Sequence, residues 1–119
     1  MSPNEADSGG LRDPYEHAEV VVLFRSQLHA DAGEDYTAMA DALLERARGF
    51  PGFVAIRDYA SPAGERLAVV WWESHETLAA WREDSEHLAA QRLGRKRWFE
   101  WFRLEVCDRV RTHGFDRSR

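Results

Sequence analysis

Much of what usually identifies a small protein is missing from this chain. Cys107 is the single cysteine among 119 residues, so no intrachain disulfide can form and nothing argues for an oxidising compartment. A structural zinc cage needs several Cys or His ligands at close spacing, and no such group is present. Surplus positive charge is absent too. Sixteen Lys and Arg against 21 Asp and Glu leave a net charge of -5, whereas a nucleic-acid partner requires a cationic surface. Arg92, Arg95, Lys96 and Arg97 do cluster, but they sit among acidic neighbours and read as a solvated helix face. No apolar run approaches the roughly 20 residues that cross a bilayer. The opening stretch MSPNEADSGGLRDPYEHAE is polar and acidic, without the apolar centre of a secretory signal. A cytoplasmic protein with no membrane or nucleic-acid partner is therefore expected. No strand precedes Gly9-Gly10, so no phosphate loop is formed there. There is no serine nucleophile elbow and no histidine pair at metal-ligand spacing on one helix, which sets aside conventional hydrolase and nucleotide-dependent chemistry.

What is present is one domain's worth of alternating elements, with 44% hydrophobic and 31% charged residues giving room for a modest core. Residues 1–16 are rich in Pro, Gly, Ser, Asp and Asn and read as a mobile tail. The domain is expected over residues 17–115, and 116–119 form a short C-terminal tail. Ala18 to Gln27 (AEVVVLFRSQ) is β-branched and aromatic, a strand. After the loop HADAGE, with Asp31 or Gly33 placed to cap, Tyr36, Met39, Ala40, Leu43 and Leu44 form one helical stripe between Glu34 and Arg48. Gly49 can stop that helix and Pro51 prevents its continuation. Phe53–Tyr59 and Arg66–Glu73 read as two strands joined through Ser61-Pro62-Ala63-Gly64, a hairpin. Ser74 is placed to cap a helix starting at His75. Helix is predicted to about Trp98, with a break near Asp84-Ser85. Trp101–Val110 alternates Phe102, Leu104 and Val106 against Arg103, Glu105 and Cys107, a fourth strand. The order β-α-β-β-α-β is the split βαβ arrangement of an α+β ferredoxin-like fold with an antiparallel sheet.

Two helices cover one face of a four-stranded sheet, and a face left in water should alternate apolar with polar residues. Val20-Val21-Val22-Leu23-Phe24 and Leu67-Ala68-Val69-Val70-Trp71-Trp72 do not alternate. A second copy, packed sheet against sheet as a homodimer, would cover the other face. An apolar face left bare would be an aggregation liability.

Chemistry concentrates in the second helical region. At 100° per residue His87, Gln91, Gly94 and Trp98 share one face, flanked by Ala90 and Trp101. A purely structural stripe would hold Leu, Ile or Val. An imidazole, an amide, a glycine and an indole instead suit an apolar cavity with a few polar groups. The competing reading makes His87 and Gln91 satisfied polar groups at a dimer edge or on the surface. His75, His29 and His113 read as peripheral, and carboxylates at Glu83, Asp84 and Glu86 are what a helix start attracts.

With those residues in view, the chain resembles the antibiotic-biosynthesis monooxygenase (ABM) family over roughly Ala18 to Phe115. The resemblance rests on Trp71-Trp72-Glu73-Ser74, then Leu78 and Trp81. It continues through Glu86-His87-Leu88-Ala89-Ala90-Gln91-Arg92-Leu93-Gly94-Arg95 and Trp98-Phe99, with Phe50-Pro51-Gly52-Phe53 similar to a connector of the family. It implies a dimeric α+β barrel of ferredoxin-like subunits, each with a pocket between helices and sheet. Some members oxidise polycyclic phenols with molecular oxygen and neither metal nor flavin. His87 would then be the base, with Gln91 or Arg25 as a hydrogen-bonding partner, and Phe24, Trp72, Trp81 and Trp98 as the walls against a small aromatic molecule. A haem-degrading branch is similar around Trp72-Glu73-Ser74 and Trp81. It carries its iron-ligating histidine ten positions after the helix tryptophan, where this chain has Gln91. It also uses an asparagine on the first strand, where this chain has Phe24-Arg25-Ser26. The resemblance therefore favours an oxidoreductase without a cofactor, with haem as the alternative cofactor. A non-catalytic small-molecule-binding or structural dimer is a further alternative, which a sizeable cavity at His87 would argue against as a purely structural role.

Overall fold

The strand that begins the domain, β1 (Val20–Leu28), buries Val20, Val22 and Ser26 while the residues between them are half-buried. The computed structural model describes residues 15–117, so most of the expected N-terminal tail lies outside the described residues. Tyr15 and Glu16 fall inside them, and Tyr15 is not loose. Its ring stacks on Trp71 at 4.3 Å, and Arg109 donates to its carbonyl oxygen.

The chain continues as α1 (Gly33–Arg48), β2 (Phe53–Ala60), β3 (Arg66–Trp72), α2 (His75–Arg82), α3 (Ser85–Leu93), a π-helical turn (Gly94–Trp98) and β4 (Phe99–Asp108). The strands form one antiparallel sheet in the order β2-β3-β1-β4. This is the expected α+β ferredoxin-like arrangement. Within one chain the sheet stays open, so a closed barrel needs strands from elsewhere.

Local chemistry explains the boundaries. Neither expected cap of α1 acts through its side chain: the N-cap is Ala32, with no side-chain hydrogen bond. Gly33 instead turns the chain with φ +65°, and Glu34 and Asp35 complement the helix dipole. Ser74 does cap α2, its hydroxyl accepting from the Thr77 amide at 3.2 Å while the Thr77 hydroxyl accepts from the Ser74 amide at 3.3 Å. The expected break is real, and Asp84 starts the next helix by accepting from the His87 amide at 3.1 Å. The last strand begins at Phe99, two residues before its expected start, because the preceding helix loosens into the π turn. Gly94 allows that close approach: a Cβ there would meet the Phe99 ring at 2.9 Å.

The core joins β1, β3 and the helices through Val20, Val22, Ala47, Trp72, Leu78 and Trp81. Its rings meet edge to face, Phe53 on Trp72 at 5.7 Å and Phe50 on Trp81 at 5.1 Å, the geometry that their quadrupoles favour. The stripe of α1 behaves differently. Only Ala47, near its C-terminal end, is buried. Tyr36, Met39, Ala40, Leu43 and Leu44 are half-buried and roof a space above the sheet.

Candidate functional site

That space is a cavity of about 350 Å³ between α1, α3 and the sheet, within the size range of small-molecule sites. Strand alternation fixes its floor. Val22 and Phe24 of β1, Ala68, Val70 and Trp72 of β3, and Leu104 of β4 point into it. Their alternates Leu23, Arg25, Leu67 and Val69 lie on the opposite face. One wall comes from α2 and α3: Trp81, His87, Ala90 and Gln91. Trp98 of the π turn closes the end beside Tyr36, with ring centres 5.6 Å apart. A second hollow, lined by Ala89, Arg92, Leu93, Arg95 and Lys96, lies on α3 and the π turn and is wider open to solvent. It contains no group suited to acid–base work near neutral pH.

Six of the seven side chains expected at the site thus line one cavity: His87, Gln91, Phe24, Trp72, Trp81 and Trp98. Arg25 does not join them. It lies one residue out of phase with Phe24, on the helix-free face. There it donates to Glu65 at 2.9 Å and sits 5.6 Å from the Trp101 ring. An Arg25 guanidinium cannot serve as partner to His87 from that side of the sheet. Trp101, expected to flank the helical face, is on that side with it. The sequence reading missed Tyr36, Asp58 and Arg66, which also line the cavity. Tyr36 looked like helix packing. The signal for Arg66 was its phase with Ala68, Val70 and Trp72.

His87 is the residue whose surroundings differ most from water. Its ring stacks on Trp81 with centres 4.7 Å apart and planes 25° off parallel. Its Nδ1 is shut away from solvent with no hydrogen-bond partner among the described residues. Burial lowers its pKa below the ordinary imidazole value; the Trp81 carbonyl and the Asp84 carboxylate pull the other way without cancelling that effect. The neutral ring is therefore the form present at neutral pH.

Asp84 holds this histidine in place. Its carboxylate caps α3 at the His87 amide and is gripped by Arg46 of α1 through two bonds of 2.9 and 2.7 Å. Replacing Asp84 by alanine should cost about 1–2 kcal/mol, mostly through the lost cap, since the Arg46 end of the ion pair is partly solvated. Asn at this position keeps a capping oxygen and should lose less. Thermal denaturation of the two variants would test the order.

Fold and cavity together define a ferredoxin-like α+β domain with a largely apolar cavity of small-molecule size. The chain belongs to the antibiotic biosynthesis monooxygenase family, whose profile matches residues 19–93. Among curated proteins it is similar to the uncharacterized protein YqjZ of Bacillus subtilis (strain 168), 28% identical over 86 residues, covering 72% of this chain and 75% of the relative. Solved structures with the same fold include Rv0793 from Mycobacterium tuberculosis, at TM-score 0.70 and 19% identity, covering 82% of this chain and all of that one. Another is SnoaB from Streptomyces nogalater, a cofactor-independent oxygenase, at TM-score 0.68 and 14% identity, covering 80% of this chain and 96% of that one.

Proposed function

We propose that the cavity binds an electron-rich polycyclic phenol and promotes its oxidation by molecular oxygen, with the substrate as electron donor and no cofactor. The observation that carries this reading is His87: an imidazole stacked on Trp81 in the wall of an aromatic-lined cavity, its charged form disfavoured by burial. A neutral ring can accept the proton whose removal turns the phenol into a readily oxidised anion. The Gln91 amide can donate to the resulting oxyanion. Trp72, Trp81 and Trp98 provide flat apolar walls. When a ring CH2 becomes C=O and the second oxygen atom leaves as water, electrons balance with no other reductant. Family membership and the likeness to a cofactor-independent oxygenase support this reaction class.

Oxygen uptake with 1,8-dihydroxyanthrone as probe, measured against its uncatalysed oxidation, tests the proposal. A rate no higher with protein than without it would remove the oxygenase reading. Haem, the alternative cofactor, does not fit this site. The Gln91 amide, where the haem-degrading branch carries its histidine, is no comparable axial ligand, and Phe24-Arg25-Ser26 stands where that branch uses an asparagine.

The functional unit in this proposal is a homodimer. Val21, Leu23, Leu67, Val69 and Trp71 lie on the helix-free face and are half-buried, an apolar surface that suits a second sheet. Sedimentation should give twice the 13.7 kDa chain mass. Leu23→Arg with Val69→Arg should shift it to the monomer; a wild-type monomer at micromolar concentration would contradict the assembly.

A further inference from the structure

Two arginines line the cavity, the exposed Arg82 and the half-buried Arg66, and it is Arg66 that is drawn in against the wall. Several other arginines of the fold are committed: Arg25 to Glu65, Arg46 to Asp84, Arg57 to the Tyr15 hydroxyl, Arg97 to Asp35. The half-buried Arg66 makes no ion pair or side-chain hydrogen bond among the described residues. Its guanidinium lies over the Tyr36 ring, 5.5 Å from the centroid. Asp41 and Asp58 also line the cavity, exposed at its rim, and neither pairs with it within 4.0 Å.

A guanidinium stacked on a tyrosine has one face covered and its rotation restricted, while its N–H edge stays free. That edge matches a planar acceptor with two oxygens. Two rim carboxylates nearby disfavour a dianion such as phosphate but tolerate a monoanion. The placement along the sheet also matters. Arg66 starts β3 and Trp72 ends it, about 20 Å apart along the strand. His87 belongs to the far end, through Trp81, whose ring is 6.0 Å from Trp72. Between them Ala68 faces the cavity opposite Phe24, so the floor is open where a larger side chain would fill it.

We infer that the ligand is an aromatic monocarboxylic acid, its carboxylate held by Arg66 at one end of the cavity and its reactive ring placed beside His87 at the other. The inference rests on the cavity being the ligand site and narrows the class of phenol that it accepts. Arg66 is a positioning and specificity residue in this scheme, remote from the reacting atoms.

The test compares 2-anthracenecarboxylate with 2-(hydroxymethyl)anthracene, using quenching of tryptophan emission in the full chain. Wild-type protein should bind the carboxylate about tenfold more tightly, the lower end of what a charge-assisted hydrogen bond contributes. Arg66→Gln and Arg66→Ala should lose that preference through weaker binding of the carboxylate, and saturable binding of the alcohol by the same variants shows that the cavity is intact. Arg66→Lys should keep part of it, as charge without a fork. Equal binding of the two probes by wild type, or a preference that survives in Arg66→Gln, overturns the inference and leaves the oxygenase reading standing. Failure of both probes to bind overturns the inference together with the ligand site. An Arg66-dependent preference with no oxygen uptake from 1,8-dihydroxyanthrone supports the inference and counts against the oxygenase.

Discussion

Gly52→Ala is expected to lose about 2–6 kcal/mol of stability, a large part of the roughly 5–15 kcal/mol that holds a domain together. Two separate effects add. Gly52 has φ +88°, and holding an L-residue in that region costs about 1–3 kcal/mol. A methyl group there would also lie 2.2 Å from Thr77 Cβ and 2.4 Å from its Oγ1, and overpacking of this kind adds about 1–3 kcal/mol. Neither partner can easily retreat. Thr77 is fixed by its exchange of hydrogen bonds with Ser74, and the Gly52 carbonyl accepts from the Glu73 amide at 2.8 Å. Urea denaturation followed by circular dichroism measures the loss. Measured against the matching Thr77 single variants, the cost of Gly52→Ala should shrink in Thr77→Ala, which removes two of the three clashing atoms. It should shrink further in Thr77→Gly, leaving the backbone part. A Gly52→Ala protein within about 0.5 kcal/mol of wild type would contradict the geometry.

The second large effect concerns His87. His87→Ala should reduce the protein-dependent rate of oxygen uptake by about 10²–10⁴, the usual worth of a positioned base. Wild-type kcat/KM should be flat at neutral pH and fall as pH drops through a value below about 6.5, because burial lowers the pKa and the neutral ring is the working form. The variant should lose that acid limb as well as the rate. Stability follows the same sign. The unfolded chain binds a proton at this histidine more readily than the folded one does. Its contribution is therefore full above about pH 6.5 and declines as pH falls through the folded-state pKa. A variant with unchanged turnover and an unchanged acid limb would exclude His87 as the base.

The elements were legible in the sequence because each carried a local signal: β-branched runs for the strands, a helical stripe for α1, Ser74 as a cap and Asp84-Ser85 as a break. The outer face of the sheet was legible for the same reason, through strands that fail to alternate. Two features escaped because they are not local. The π turn depends on Gly94 meeting a ring five residues later, and periodicity fitted to an ordinary helix runs past it. Arg25 and Phe24 are adjacent in the chain, and their assignment to opposite faces depends on strand phase. Taken by proximity in sequence, Arg25 looked like a partner for His87. Taken by phase, it belongs with Leu23, while Arg66 belongs with Trp72. The cavity itself was half visible. Its imidazole and indoles stood out as odd choices for a helix face, but its roof looked like ordinary core.

That roof and floor have a consequence for how such a fold diversifies. Four alanines from three different elements line the space, among them Ala40 of α1, Ala68 of β3 and Ala90 of α3. Their methyl side chains make no hydrogen bond and no cap. Exchanging any of them for valine or leucine would redraw the outline of the enclosed volume and leave the caps, the ring cluster and the strand register alone. Ligand size is thereby uncoupled from foldability. A scaffold of this kind can reshape its cavity one methyl group at a time, long before its architecture has to change.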